Sequence, residues 1–271
     1  MPSKDLAGSC TGVVKIYWSA SGEVNALKGI DAAFTEGAIT ALVGPSGSGK
    51  STLLRILACI DRPTAGQVRI GEVEVSALRP NKRRRIRREH LGYVFQKPSD
   101  NLIPYLSASE HLKTAALLRG RARPDEDSEL LEILGLRARA EHTPAQLSGG
   151  EQQRLALAAA VIGGPDLVLA DEPTAELDSE SGSHLMRMMS RLADHGSSFV
   201  VATHDPIVME AADRILHLRH GALEAETRET RALSVIDAAG RVQLPPDALK
   251  LFPDRRAQIL LEHGEVRITP P

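Results

Sequence analysis

One segment, Gly44–Thr52, constrains the fold more than any other part of the chain. It reads GPSGSGKST and lies between an apolar run, Ile39–Val43, and a leucine-rich run, Leu53–Ala58. This is the pattern G-x-x-x-x-G-K-[ST] in the order strand, glycine-rich loop and helix. Glycines let successive backbone N–H groups point inward, and the helix start adds its positive dipole end. The segment therefore predicts a phosphate-binding loop, in preference to a flexible linker.

Two side chains of this loop have distinct expected roles. Lys50 is expected to reach the β- and γ-phosphates of a nucleotide, and the Ser51 hydroxyl is expected to ligate Mg²⁺. The other residues of the predicted phosphate cradle are Gly44, Pro45, Ser46, Gly47, Ser48, Gly49 and Thr52.

Length and charge bound the class of protein. The chain has 271 residues, a formal net charge of −2 and a pI of about 6.5, which suits one large domain with a small addition. Because proteins that bind nucleic acid usually carry a basic domain or stripe, no nucleic-acid partner is expected. The two cysteines, Cys10 and Cys59, form no C-x-x-C pattern and are predicted to be reduced and structural.

No membrane-crossing segment is predicted. Residues 1–9 lack the apolar region of a signal peptide, and no window approaches the roughly 18 apolar residues of a membrane span. If the protein works at a membrane, we expect a partner to recruit it. A dense basic run, Lys82–Arg88, is compatible with contact to acidic lipid or nucleic acid. It contains one apolar residue and no aromatic ring, so a solvated helix face is the favoured interpretation.

Apolar patterning predicts a mixed α/β fold. Segments Gly12–Tyr17 and Ala26–Phe34 predict an antiparallel sheet at the start of the chain. Strands buried on both faces, typical of a doubly wound parallel sheet, are predicted at Ile39–Val43, Leu91–Phe95, Leu167–Ala170 and Phe199–Ala202. Short strands are expected at Gln67–Ile70 and Val73–Val75. Helices are expected from the phosphate loop to near Ile60, twice between residues 101 and 136, and over Leu155–Val161 and Ser179–Ala193.

Polar side chains follow the predicted buried strands, where open α/β sheets bind their ligands. Gln96 follows the second strand, Asp171 and Glu172 follow the third, and His204 follows the fourth. A further motif, LSGGEQQR at Leu147–Arg154, precedes a helix. Taken in this order, the motifs resemble those of the ATP-binding subunits of ABC transporters.

The resemblance extends from about Tyr17 to about Glu226 and implies a particular architecture. It implies a P-loop NTPase (RecA-like) core with an antiparallel β subdomain and an α-helical subdomain at about residues 99–160. The ATPase domain is expected to span residues 1–228, followed by a small β/α appendage at residues 229–271. ATP and Mg²⁺ are the implied ligands.

The resemblance also implies roles for the residues at the strand ends. Asp171 would hold Mg²⁺ through water, with Ser51 and Gln96 also serving the metal. Glu172 would orient and deprotonate the attacking water, while Lys50, Gln96 and His204 would act on the γ-phosphate. Gln96 would in addition contact the transmembrane partner.

A second set of residues implies a partner subunit. Ser148, Gly149 and Gly150 match the ABC signature, which binds the γ-phosphate of ATP held by a second subunit. A chain with both half-sites is expected to pair head to tail, and Asp178 matches the loop that communicates across that interface. Tyr17 matches the aromatic residue that stacks on adenine. Trp18 lies beside it, and either ring could pack on a base or into the sheet.

Function is expected to follow the family. The sequences of residues 92–96, 101–108 and 147–154 are similar to those of the lipoprotein-release and macrolide-export group. The chain is therefore expected to hydrolyse ATP at the cytoplasmic face of the membrane and to power a separate permease that extrudes lipids, lipoproteins or peptides. The alternatives are a soluble ABC ATPase acting on DNA or ribosomes, whose long insertions are not visible here, and a degenerate subunit that binds ATP without hydrolysis.

The tail changes character after Glu226. Val235–Pro245, Asp247–Phe252 and a hairpin at Gln258–Ile268 are predicted to form a small β/α/β unit. It resembles one half of an AbrB-like swapped-hairpin barrel, but six Lys/Arg against five Asp/Glu from Arg231 onward do not favour DNA binding. A packing appendage and a dimerisation or regulatory unit both remain open.

Overall fold

The computed structural model describes residues 6–19, 22–121, 123–228, 231–234, 252, 257–262 and 265–269. Its strands are β1 (Leu6–Ser19), β2 (Gly22–Thr35), β3 (Ile39–Val43), β4 (Ala65–Ile70), β5 (Val73–Glu74), β6 (Leu91–Val94), β7 (Leu167–Asp171), β8 (Phe199–Thr203), β9 (Arg214–Arg219), β10 (Ala222–Arg228), β11 (Arg231–Ser234), β12 (Gln258–Glu262) and β13 (Glu265–Thr269). Its helices are α1 (Lys50–Leu57), α2 (Pro80–His90), α3 (Ala108–Arg119), α4 (Glu126–Ile133), α5 (Gly149–Val161), α6 (Ser179–Asp194) and α7 (Pro206–Ala211), with 3₁₀ turns at Pro98–Asp100, Arg137–Arg139 and Pro144–Gln146.

A parallel sheet forms the centre of the structure. Its strand order is β11-β10-β9-β3-β8-β7-β6, in which β9, β3, β8, β7 and β6 run parallel and β10 and β11 add an antiparallel edge. Val43 lies opposite Thr203, and Asp171 lies opposite Ala202. The carboxyl ends of neighbouring strands therefore meet at one edge of the sheet.

Apolar side chains cover both faces of this sheet, because alternate residues of a strand point to opposite sides. On β7, Leu167 and Leu169 join the apolar cluster that contains α1. Val168 and Ala170 join the cluster that contains α5 and α6. The predicted doubly wound parallel sheet is confirmed.

The first two strands pair in antiparallel fashion, as predicted. Strands β4 and β5 extend them into a four-stranded sheet with the order β2-β1-β4-β5. Strands β1 and β2 are longer than their alternating segments suggest, and Tyr17 pairs with Val24 in their register. The inner face of this sheet, including Val13, Leu27 and Ile30, packs in the same apolar cluster as α1.

Helix α1 ends at Leu57, so the prediction that it reaches Ile60 is wrong by about one turn. Cys59 adopts a left-handed conformation, φ 55°. The N–H groups of Ile60 and Asp61 then donate back to the carbonyl of Arg55, at 2.9 and 3.1 Å. This closing turn satisfies backbone groups that a longer helix would have used.

A buried arginine joins the helical part of the chain to the sheet. Arg119, the last residue of α3, donates through its guanidinium to the carbonyls of Leu91, Ala160 and Ile162. Burial lowers the pKa of Arg119 to about 10. The basic run Lys82–Arg88 lies on α2, which has no buried residue and leads into β6, as the solvated-face interpretation predicts.

The C-terminal part is described only in pieces. Strands β12 and β13 form the predicted antiparallel hairpin, in which Ile259 pairs with Ile268. Strand β11 pairs with β10, so the expected domain boundary at residue 228 falls between two paired strands. The predicted elements at Val235–Pro245 and 247–251 lie outside the described residues.

Gly92 provides a test of the packing between β6 and α5. A Cβ atom at this position would lie 2.2 Å from the carbonyl oxygen of Ala160, a backbone atom that cannot move aside. We expect Gly92→Ala to lower the free energy of unfolding by about 3 kcal/mol, measured by urea denaturation.

Gly12→Ala is the matched control for this substitution. Gly12 has φ +59° but no atom within 4 Å of an added Cβ, so it isolates backbone strain from steric overlap. Its expected cost is about 1 kcal/mol. Equal losses in the two variants would contradict close packing at Gly92.

Candidate active site

The ends of four adjacent strands bring most of the predicted site residues together. The phosphate loop follows β3, His204 follows β8, Glu172 follows β7, and Gln96 lies two residues after β6. They line one cleft of about 840 Å³ together with the loop residues Gly44–Thr52.

The phosphate loop has the curled backbone that its glycines predict. At Gly44, φ is 155° and an added Cβ would lie 2.0 Å from the carbonyl oxygen of Leu218. Lys50 extends back along the loop and donates through Nζ to the carbonyls of Gly44 and Pro45, at 2.7 and 3.3 Å. The Ser48 hydroxyl is buried and has no hydrogen-bond partner among the residues that the structure describes. In this conformation the Lys50 amine binds carbonyl groups of its own loop.

The side-chain oxygen atoms of Ser51 and Asp171 meet beneath the loop. The Ser51 hydroxyl, in the first turn of α1, donates to Oδ1 of Asp171 at 3.3 Å. Burial raises the pKa of Asp171, and the charge of Glu172 raises it further, whereas the hydrogen bond from Ser51 and the charge of Lys50 lower it. The structure therefore brings two of the three residues predicted to serve the metal, Ser51 and Asp171, into contact.

Glu172 and His204 form a pair across the cleft. The Nδ1 atom of His204 lies 2.9 Å from Oε1 of Glu172, and the backbone N–H of His204 donates to Oε2 at 3.4 Å. Glu172 has φ 47°, a left-handed conformation that is uncommon for a residue with a side chain. The His204 side chain is 76% exposed, so its ring can turn away from the carboxylate into the cleft.

Backbone hydrogen bonds to side chains hold the segment that carries Gln96. The N–H of Phe95 donates to Oδ1 of Asn101 at 2.8 Å, and Nδ2 of Asn101 donates to the carbonyl of Tyr93 at 2.7 Å. From α5, Nε2 of Gln153 donates to the carbonyl of Phe95 at 3.4 Å. Sequence reasoning missed both amides, because nothing in their spacing points to this segment.

The signature residues lie elsewhere on the chain. Ser148 is the N-cap of α5: its hydroxyl accepts from the N–H of Glu151 at 3.3 Å, and the Glu151 carboxylate accepts from the Ser148 N–H at 2.8 Å. Asp178 is the N-cap of α6 and accepts from the N–H of Ser181. Ser148, Gly149, Gly150 and Asp178 are all described, and none of them lines the cleft.

Tyr17 is held in place by a contact that the sequence did not indicate. Its hydroxyl donates to Oδ2 of Asp61 at 3.0 Å, and Arg55 donates to the same carboxylate at 2.9 Å. The hydrogen bond from Arg55 lowers the pKa of Asp61. Tyr17 does not line the cleft, whereas its strand partner Val24 does. Trp18 is 75% exposed and is not packed into the sheet.

The cleft also includes residues that sequence reasoning missed. They come from β2 and from the turn between β9 and β10, and they are Val24, Asn25, Ala26, Lys28, His220 and Gly221. The N–H of Gly221 donates to the carbonyl of Ser48 at 3.0 Å. The dipeptide His-Gly is a hairpin-turn signal, but only the folded sheet places that turn against the phosphate loop.

A phosphate loop that opens a helix, with acidic and polar residues on adjacent strand ends, defines a P-loop nucleotide-binding protein. The family model described as "ABC transporter" matches residues 27–175. The macrolide export ATP-binding/permease protein MacB 1 of Aeromonas hydrophila is 42% identical over 221 residues, 80% of this chain. The corresponding MacB of Shigella flexneri is 39% identical over 227 residues, 83% of this chain. This chain spans about a third of the length of these relatives, 34% in each case.

Solved structures share the fold. The ATP-binding cassette MJ0796, a dimer in a post-hydrolysis state with ADP and Pi, is 36% identical with a TM-score of 0.73, covering 83% of this chain and 99% of that one. CbiO1 of Clostridium perfringens is 26% identical with a TM-score of 0.72, covering 83% and 89%. The chain belongs to the ABC transporter family, of which it is an ATP-binding cassette. The expected P-loop fold and the similarity to macrolide-export proteins are confirmed.

Proposed function

We propose that this chain binds and hydrolyses ATP and so powers a separate transmembrane permease, with Lys50, Gln96, Glu172 and His204 acting on the reacting phosphate. The observation that carries this proposal is that the phosphate loop and the Glu172–His204 pair face one cleft. Relatives are ATP-binding/permease proteins, and a related cassette is known with ADP and Pi bound.

The residues beneath the loop fit Mg²⁺. This ion prefers hard oxygen ligands, and it usually takes one or two carboxylates together with substrate phosphates. The Ser51 hydroxyl, the Asp171 carboxylate and the Gln96 amide supply oxygen atoms at that place. When bound, the ion would neutralise negative charge on the phosphates.

The chain's own groups divide the remaining chemistry. The N–H groups of the loop and the Lys50 amine bind the phosphates. On binding, Lys50 gives up its hydrogen bonds to loop carbonyls and forms stronger, charge-assisted hydrogen bonds to phosphate oxygens. Glu172, the residue directly after strand β7, accepts the proton of the attacking water. His204 leaves Glu172 to donate to the γ-phosphate. Tyr17, held by Asp61 and paired with the cleft residue Val24, supports the adenine ring of ATP where it extends beyond the cleft.

A second subunit completes the site in this proposal. Ser148 and the N–H groups of Gly149 and Gly150 stand at the start of α5, where the helix dipole favours an anion. Because they lie outside their own cleft, they bind the γ-phosphate held by a partner arranged head to tail. Asp178, at the start of α6, lies at the same interface. Two cassettes of MJ0796 form a dimer.

A groove next to Gln96 offers a place for the permease. Its apolar floor is formed by Ile60, Leu91, Tyr93 and Phe95, and its continuation is lined by Arg84, Arg87, Arg88 and Leu118. Within the described residues, no helix has the length and apolar content needed to cross a membrane. We place the chain at the cytoplasmic face of the membrane through this contact, as part of a lipid, lipoprotein or peptide extruder.

The division at residue 228 and the role of the appendage belong to the same proposal. The ATPase unit occupies about residues 1–228, with its helical subdomain at about 99–160. The appendage acts as a packing or pairing unit. The competing function, an ABC ATPase on DNA or ribosomes, finds no support in a net charge of −2.

Replacing Glu172 with Gln tests the proposed base. The amide cannot accept a proton, so we expect phosphate release to fall to almost nothing while ATP binding persists. The variant should accumulate as an ATP-bound dimer on size-exclusion chromatography. Glu72→Gln, an exposed acid in the turn between β4 and β5, is the control and should keep wild-type turnover. Unchanged turnover in Glu172→Gln would remove this residue as the base.

Matched substitutions at Ser148 and Ser107 test whether the signature serine acts in ATP hydrolysis. Both serines cap a helix with a glutamate at the third position, so Ser148→Ala and Ser107→Ala should each cost about 1 kcal/mol in unfolding experiments. Only Ser148→Ala should also reduce the ATPase rate, because only this hydroxyl binds phosphate in trans. Equal ATPase rates in the two variants would contradict the trans site.

The permease contact predicts co-purification from membranes. Tagged chain recovered from detergent-solubilised membranes should carry a multi-span membrane protein, and Arg87→Glu in the groove should lose it. Arg191→Glu, exposed on α6, serves as the control and should retain the partner. Recovery with ribosomes or DNA, and with no membrane protein, would favour the competing function.

A further inference from the structure

The two loops that carry Glu172 and His204 are joined by a second, buried contact. The hydroxyl of Thr174 donates to Oδ2 of Asp205 at 2.5 Å. Thr174 is 4% exposed, so water does not compete for this bond. Thr174 lies two residues after Glu172, and Asp205 directly follows His204. The contact therefore joins the two loops on their buried side, while the Glu172–His204 pair meets in the cleft.

Asp205 is itself held by two further hydrogen bonds. Its N–H donates to the hydroxyl of Thr203 at 2.9 Å, and Thr203 is fully buried. Its Oδ1 atom accepts from the N–H of Ile207 at 2.9 Å and caps α7. The Oδ2 atom is thus presented to Thr174 in one orientation. A carboxylate held in this way acts as a rigid anchor for the loop that it binds.

The same contact reaches the start of α6. A Cβ added at Gly182 would lie 3.7 Å from Cβ and Cγ2 of Thr174 and 3.8 Å from Cδ1 of Ile207. The N–H of Gly182 donates to the carbonyl of Asp178 at 2.8 Å. The first turn of α6 therefore packs against Thr174 and Ile207, the two residues that donate to the Asp205 carboxylate.

We infer that Thr174 is a positioning residue for ATP hydrolysis, and that its bond to Asp205 fixes the spacing between Glu172 and His204. The inference rests on the proposed function. Glu172 holds an uncommon left-handed backbone, and the exposed ring of His204 must turn from the carboxylate toward phosphate. With the two loops joined by this bond, the ring turns without carrying Glu172 away from the attacking water. Thr174 itself is buried and does not line the cleft.

Three variants separate this role from simple stability. Thr174→Val removes the hydroxyl and keeps the shape, whereas Thr174→Ser keeps the hydroxyl. Thr143→Val removes a hydroxyl that donates to Gln146 outside the cleft. We expect kcat to fall about tenfold or more in Thr174→Val with KM within about twofold of wild type, because misplaced groups slow chemistry more than binding. Thr174→Ser should restore most of the turnover, and Thr143→Val should leave it unchanged.

Hydrogen exchange measured by mass spectrometry on the nucleotide-free protein gives a readout that does not depend on turnover. Thr174→Val should raise deuterium uptake in peptides covering residues 172–178 and 203–211, whereas the serine variant and Thr143→Val should match wild type there. If Thr174→Val does not fold, Asp205→Asn replaces it, because it keeps an acceptor for Ile207 and weakens the charged bond to Thr174.

The outcomes distinguish the two proposals. A wild-type protein that binds no ATP or hydrolyses none refutes the proposed function, and the exchange data still decide whether Thr174 ties the loops. Normal wild-type turnover with an unchanged kcat in Thr174→Val overturns the positioning role alone. Unchanged exchange at both loops overturns it as well, and so does a fall in kcat that Thr174→Ser does not restore.

Discussion

Burial of both faces of the central parallel sheet is the constraint on which the site depends. Because α1 covers one face and α5 and α6 cover the other, the strands have one register and their carboxyl ends meet at one edge. Four short polar segments, far apart in sequence, are delivered to that edge. There, contacts such as Ser51 with Asp171 and Glu172 with His204 join three of them. The helices therefore determine the geometry of the cleft, although they contribute few of its side chains.

This burial also sets the electrostatics of the cleft. Asp171 ends a strand whose other residues are fully buried, so the neutral form of its carboxyl group is favoured and its pKa is raised. The neighbouring charge of Glu172 acts in the same direction. The nearby amine of Lys50 and the hydroxyl of Ser51 offset part of that cost. An acidic pair in such a place is better satisfied by a divalent cation than by water, which agrees with the proposed binding of Mg²⁺.

Much of the fold could be predicted because its signals are local. Continuous apolar runs located β3, β6, β7 and β8 to within about a residue. A predicted site residue directly follows three of these runs, and His204 lies two residues after the fourth. The end of α1 was misplaced because its stop signal is a left-handed cysteine, which no common capping pattern marks. Contacts such as Asp61 with Tyr17, Asn101 with Phe95 and Thr174 with Asp205 could not be predicted, since each joins parts of the chain that only the tertiary structure brings together.

The capping box at Ser148 has a consequence for how two chains could meet. A serine hydroxyl has one proton and two lone pairs, and capping α5 uses only a lone pair, to accept from the Glu151 N–H. The proton is left for an outside acceptor, and the cap already fixes the direction of the oxygen. A phosphate arriving from a neighbouring chain would therefore meet a donor whose rotational entropy was lost when the helix folded, so that little of the binding free energy is spent on ordering it.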